Sequence, residues 1–339
     1  MEEVIMSGLT RRQFLKRTLA SGVAGGLVLS GGVRIAHAAS ATDVMGTLYD
    51  LTRCDGCIGQ KVPLCVTVCR EENKSRFPDP VPAEQIQYYW PNKKKEDWQG
   101  KKHLTNRLTP YNWTFVQKAQ VEHNGKPLEV FIPRRCMHCD NPPCANLCPF
   151  GAQYKSPEGP VLINKDLCLG GAKCRDVCPW GIPARQAGVG LYMKIAPKFL
   201  GAGVMYKCDL CYDRVKKGLE PACVVSCPRK AIMFGSKKTL REVAYKRAEE
   251  IGGFVYGDKE NGGTSTFYVS SVPFEKINAA LKEQKSRQQD PAATGFPLMQ
   301  AGVANFLDSA NGMVAGMLAA PVAGALAAGY AAYKTMKEG

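Results

Sequence analysis

Cys136-Met-His-Cys139-Asp-Asn-Pro-Pro-Cys144-Ala-Asn-Leu-Cys148-Pro149, followed by Cys168-Leu-Gly-Gly-Ala-Lys-Cys174-Arg-Asp-Val-Cys178-Pro179, decides what kind of core this chain builds. A Cys-x2-Cys pair brings thiolates around one metal centre, and a cysteine followed by proline ends a ligand run whose last member serves the neighbouring centre. Two more groups lie on either side: Cys54, Cys57, Cys65 and Cys69 before, and Cys208, Cys211, Cys223 and Cys227-Pro228 after. Together the groups use all fifteen cysteines, and three of them end in Cys-Pro. Small cysteine-rich modules bury too little apolar surface alone, so metal binding supplies part of their folding free energy.

The spacing favours iron–sulfur clusters over zinc. Paired Cys-x2-Cys motifs also make tetrahedral zinc sites, but a repeated x3-Cys-Pro ending is not a zinc-ribbon habit. Four runs imply four clusters. The first group has a wide loop containing Pro63 and no terminal proline, yet keeps four thiols. The third group is short, with Gly171 where a second ligand is due. With crossed ligation its cluster is left with Cys168, Cys174 and Cys148. Three thiolates suit a three-iron cluster; the alternative is a four-iron cluster whose free corner takes water, Asp166 or Asp176. Cluster type moves the potential, so this site is expected to be the most oxidising of the four.

The 339 residues carry a formal net charge of +15. Four-iron clusters with four thiolates carry about −2 each when oxidised, so four bring roughly −8 and offset much of that excess. No nucleic-acid module is present, so nucleic acid is not an expected partner. Four histidines leave little for acid–base work. No phosphate loop, nucleophile elbow or catalytic carboxylate pair stands out. His138 sits among thiolates that already satisfy the metal, which suits hydrogen bonding around the site better than ligation.

Both ends read as address labels. Thr10-Arg11-Arg12-Gln13-Phe14-Leu15-Lys16, a weakly apolar run and Ala36-His37-Ala38 predict a cleaved twin-arginine signal over residues 1–38. That route moves folded proteins, which suits thiolates metallated before export. Gly312 to Tyr333 holds 22 uncharged residues with a small-residue stripe, followed by Lys334 and Lys337. As a helix it would span about 33 Å, which predicts a transmembrane anchor with the cluster domain on the periplasmic side of the cytoplasmic membrane.

Between the labels, apolar runs at Met45–Leu51, Val161–Asn164 and Ala231–Phe234 predict short strands beside ligand loops. Leu240–Ile251 reads as an amphipathic helix, Thr264–Val272 as a strand, Phe274–Lys285 as a helix and Gln288–Pro297 as a linker. The basic, tryptophan-bearing stretch 71–135 is too long for a plain loop and predicts an insertion lobe: a docking surface, or a solvated basic face. The second and third groups form one continuous module over 136–180. The first and fourth form another over 45–70 and 206–235, split by it. An extension and linker occupy 236–300, and the anchor 312–333. The fold class is α+β: duplicated bacterial-ferredoxin-like modules with a long insertion and a C-terminal transmembrane helix.

These motifs resemble the iron–sulfur electron-transfer subunits of complex iron–sulfur oxidoreductases, nearest the membrane-bound formate dehydrogenase beta subunit and the hydrogenase-2 type iron–sulfur subunit. The residues that carry the likeness are Cys136-Met-His-Cys139-Asp-Asn-Pro-Pro-Cys144, Tyr206-Lys-Cys208-Asp-Leu-Cys211-Tyr-Asp-Arg, Glu220-Pro-Ala-Cys223-Val-Val-Ser-Cys227-Pro and Gly262-Gly-Thr264. The resemblance implies crossed ligand sets. Cys54, Cys57, Cys65 and Cys227 would hold one [4Fe-4S] cluster; Cys208, Cys211, Cys223 and Cys69 a second; Cys136, Cys139, Cys144 and Cys178 a third. The short group is similar to that of the nitrate reductase beta subunit, which implies a [3Fe-4S] cluster on Cys168, Cys174 and Cys148. The family's clusters stand in single file. The implied partners are a catalytic or cytochrome redox subunit and an integral membrane subunit that handles quinone or haem. The chain would then be non-catalytic by itself; the rivals are a stand-alone iron–sulfur enzyme and a zinc-binding scaffold protein.

Overall fold

Strand β1 (Met45–Asp50), just ahead of the first cysteine group, pairs antiparallel with β8 (Ile232–Ser236), just after the fourth. That pairing closes the ends of a long stretch of chain and brings its first and last ligand loops together. The computed structural model describes residues 43–88, 95–195, 203–287, 294–312 and 314–315. β1 also runs parallel to β10 (Thr266–Ser270), which pairs with β9 (Phe254–Tyr256), so the sheet order is β8-β1-β10-β9. The strands expected beside the ligand loops are present, including β5 (Val161–Ile163).

Among the described residues three antiparallel pairs complete the strands: β2 (Phe115–His123) with β3 (Lys126–Arg134), β4 (Gln153–Lys155) with β5, and β6 (Ala184–Ala187) with β7 (Gly203–Tyr206). The first turns on Asn124-Gly125, both left-handed at φ 53° and 70°, the geometry a two-residue hairpin loop needs. It lies within the stretch 71–135 expected to form an insertion lobe, and Trp113, Phe115, Ala119 and Ile132 share one apolar core with Cys65, Cys69 and Cys136.

The helices are α1 (Leu64–Glu72), α2 (Pro143–Asn146), α3 (Lys173–Asp176), α4 (Leu191–Ile195), α5 (Tyr212–Val215), α6 (Ala222–Val225), α7 (Lys237–Glu250) and α8 (Phe274–Arg287). α7 buries Leu240, Ala244 and Ala248, one turn apart, against Leu48, Phe267 and Val269 of the sheet. Fully burying a leucine or phenylalanine side chain contributes about 1.5–3 kcal/mol. α8 buries Phe274, Ile277 and Leu281 and packs on β2.

The described part of the expected linker, 294–297, is tied to the body: Leu108 N donates to the Gly295 carbonyl oxygen at 3.0 Å, and further on Met299 is fully buried. This strap, residues 294–302, is pinned by the Glu260 carboxylate, which accepts from Gly302 N at 3.1 Å and from Gly257 N at 2.6 Å.

The expected C-terminal transmembrane helix requires correction. Among the described residues no helix is long and apolar enough to cross a membrane. The longest, α7 and α8, have 14 residues each. That is about 21 Å against a hydrocarbon core of about 30 Å, and both helices carry charged faces. Placement on the periplasmic side of a membrane by such an anchor is corrected with it. Of the expected span 312–333, residues 313 and 316–333 lie outside the described residues, as does the expected signal over 1–38.

Candidate metal centres

Each ligand group ends in a helical turn. Cys65 and Cys69 lie in α1; Cys144, Cys174 and Cys223 lie in α2, α3 and α6, each with a partner cysteine four residues on. Residues i and i+4 share a face but are displaced by about one pitch of 5.4 Å, so one turn can serve two neighbouring centres. Cys65 stands with Cys54, Cys57 and Cys227 around one hollow, whereas Cys69 stands with Cys208, Cys211 and Cys223 around a second. Cys139 and Cys144 share their surroundings with Cys136 and Cys178. Cys148, Cys168 and Cys174 line a further hollow, of about 220 Å³, together with Gly171. The first two hollows are tighter than this last one. Neither Asp166 nor Asp176 lines it.

The same backbone device recurs in every Cys-x2-Cys loop. The residue before the second ligand position is left-handed: Gly56 at φ 66°, His138 at 50° and Leu210 at 62°. In the third group Gly170 takes φ 71°, so Gly171 occupies the position that Cys57, Cys139 and Cys211 occupy in the others. The loop keeps its shape and lacks only the thiol. Left-handed turns point successive N–H groups inward, a concavity suited to anions. Sulfur accepts from backbone N–H groups in these turns and from a neighbouring strand: Leu210 N to Cys208 Sγ at 3.3 Å, Ala231 N to Cys227 Sγ at 3.3 Å, and Met205 N of β7 to Cys168 Sγ at 3.4 Å.

None of the fifteen cysteines is joined in a disulfide. Burial pushes the Cys54, Cys178 and Cys223 thiols up to about 11 and Cys211 to about 12; it drives Cys65, Cys69, Cys139 and Cys174 well above the usual range, with neighbouring thiols adding to the rise. Thiols crowded this way ionise only when a cation takes the proton's place. The sulfur-only donors, gathered from separate loops with backbone N–H groups aimed at them, fit iron–sulfur clusters.

The sets adjoin in series. Cys65 of the first feels Cys223 of the second, and Cys174 of the last feels Cys144. Between the second and third lie Arg135, whose guanidinium donates to Cys208 Sγ at 3.5 Å, and Lys207, which donates to the Val161 and Cys208 carbonyls. Neither cation was singled out in the sequence; the signal is that each immediately precedes the first cysteine of a group. His138 is fully buried and accepts from Val161 N at 3.0 Å through Nδ1, and burial followed by the charges of Lys207, Arg135 and Lys155 holds it neutral. It therefore orders the loop. The segment Gly262–Thr264, which leads into β10, meets the same loop, with Asp140 N donating to Gly263 O at 2.9 Å and Ser265 N to His138 O at 3.0 Å. A larger cavity of about 460 Å³, bordered by Phe115, Lys118, Leu281, Lys285 and Phe296, contains no cysteine and lies apart from this chemistry.

Models of 4Fe-4S dicluster domains match residues 53–152 and 128–237. The hydrogenase-2 operon protein HybA of Escherichia coli O157:H7 is 30% identical over 80% of this chain and 83% of its own length. The iron–sulfur subunit of nitrate-inducible formate dehydrogenase of Escherichia coli K12 is 34% identical over 58% of this chain and 68% of its own. The probable anaerobic dimethyl sulfoxide reductase chain YnfG of the same strain is 40% identical over 33% and 48%. With four serial thiol sets in two dicluster domains, this chain belongs to the family of ferredoxin-type iron–sulfur electron-transfer subunits that includes HybA and the formate dehydrogenase iron–sulfur subunits.

Proposed function

We propose that this chain relays electrons through four clusters between a catalytic or cytochrome redox subunit and a quinone- or haem-bearing membrane subunit, without catalysing a reaction of its own. The observation that carries the reading is the serial adjacency of the four thiol sets, from Cys54/Cys57/Cys65/Cys227 through Cys69/Cys208/Cys211/Cys223 and Cys136/Cys139/Cys144/Cys178 to Cys148/Cys168/Cys174. Three [4Fe-4S] clusters and one [3Fe-4S] cluster are the proposed occupants. Bound clusters supply one-electron redox chemistry. The protein's part is to hold them in file, to exclude water with the buried core around Trp113, Ile132 and Tyr206, and to set their charge environment. Gly171 in the last hollow supports the three-iron occupant there. The names of the relatives favour a partner that handles hydrogen or formate. The twin-arginine pattern supports export of the chain after metallation.

The test is metal analysis with low-temperature EPR on anaerobically isolated protein. The reading expects about fifteen iron atoms per chain, three clusters of four and one of three. Stoichiometric zinc in place of iron sinks it.

A further inference from the structure

We infer that Lys207 and Arg135 are the buried countercharge of the two middle clusters, and that Lys207, standing between them, raises the reduction potentials of both together. The inference rests on the four-cluster reading and assigns residues to it.

Lys207 is 6% exposed and Arg135 is 1% exposed. A buried cation is costly unless an anion answers it. Among the described residues no ion pair joins either one to a carboxylate. Lys207 donates to two backbone carbonyls, of Val161 and Cys208. Arg135 donates to the hydroxyls of Tyr49 and Thr47 and to Cys208 Sγ. Asp209 is within electrostatic reach of Lys207, but its carboxylate pairs with Arg76 at 2.5 Å. The groups that surround Lys207 on the anionic side are Cys136 and Cys144 of the third set and Cys208 of the second. Arg135 faces Cys208 and Cys223. The charge that answers these cations is therefore that of the clusters those thiolates would carry.

The outer sets differ at the same position. The residue before the first cysteine is Arg53 in the first group, which is exposed, and Leu167 in the third, which is 41% exposed. Only the groups that supply the first ligands of the two middle sets bury a cation there. A fixed positive charge in a low-dielectric interior favours the more negative, reduced cluster, and one cation between two clusters acts on both.

The experiment is an EPR-monitored redox titration of the full-length, cluster-loaded chain carrying Lys207→Gln, which keeps a donor and removes the charge, beside Lys207→Arg, which restores the charge. The expected result is a downward shift in two of the four midpoints in Lys207→Gln by about tenfold in the oxidised-to-reduced ratio, which is 59 mV for one electron. The other two stay in place, and Lys207→Arg returns the pair toward the starting values. Unmoved midpoints in Lys207→Gln with its iron intact overturn the inference. If Lys207→Gln instead loses two clusters, their retention in Lys207→Arg upholds the charge requirement and their loss there overturns it. Absence of iron from the unsubstituted chain is a different outcome, which refutes the four-cluster reading itself.

Discussion

Replacing Gly171 by cysteine should complete the last ligand set. A Cβ built at Gly171 meets no heavy atom within 4 Å, and the residue lies outside the left-handed region. A side chain there costs no overlap, and the folded protein should stay within about 1 kcal/mol of its starting stability. The new thiol would enter the roomy hollow already lined by Cys148, Cys168 and Cys174. Its neighbour gives the control. Gly170 has φ 71°, and a Cβ there would stand 2.4 Å from the Gly203 carbonyl oxygen. Gly170→Ala therefore carries the left-handed penalty of about 1–2 kcal/mol as well as a clash with backbone. In the Gly171→Cys variant, iron should rise from about fifteen to about sixteen atoms per chain. The EPR signal of an oxidised three-iron cluster should vanish, with a four-iron signal appearing on reduction. Gly171→Ala should leave iron and spectrum unchanged. A folded Gly171→Cys protein with unaltered iron and spectrum would refute the reasoning, because it would mean that this position does not face the cluster.

Two further predictions concern the frame around the centres. Glu260→Ala leaves the N–H groups of Gly257 and Gly302 without their carboxylate; a loss of about 1–3 kcal/mol is expected, with faster hydrogen exchange confined to the strap near Gly302. Unchanged exchange at Gly302 would show that Glu260 does not pin it. The hydrogen bond from Arg241, with a further one from Tyr245, holds the Asp258 carboxyl below its usual 3.8. A carboxylate lowered on folding adds stability above its unfolded pKa, and that stability fades as pH falls through the folded value. Asp258→Asn should lower the melting temperature between pH 7 and 8, with the difference closing and the acid limb flattening below about pH 4; an unaltered acid limb counts against this pair.

Much of the site was legible because ligand spacing is a local code. Cys-x2-Cys and x3-Cys-Pro state how many thiols a loop offers, and the gap at Gly171 is visible without coordinates. The strands beside the loops were legible for a similar reason: short apolar runs such as Val161–Ile163 leave few alternatives. The hairpin Phe115–Arg134 had a readable signal in Asn124-Gly125 between alternating residues, yet inside a long basic insertion that alternation is easily passed over. The apolar tail read as a membrane span shows the opposite hazard, since absence of charge is weak evidence when the residues are mostly alanine and glycine.

From the chain alone come the number of thiols, their grouping, and the identity of the group that is one short, because each depends on residues a few positions apart. Folding in three dimensions decides which thiols adjoin across the molecule, through the pairing of β1 with β8. It also decides that Lys207 and Arg135 are sealed between two sets while Arg53 faces solvent. A cation's effect on a redox centre depends on distance and dielectric, and both are properties of packed neighbours remote in the chain.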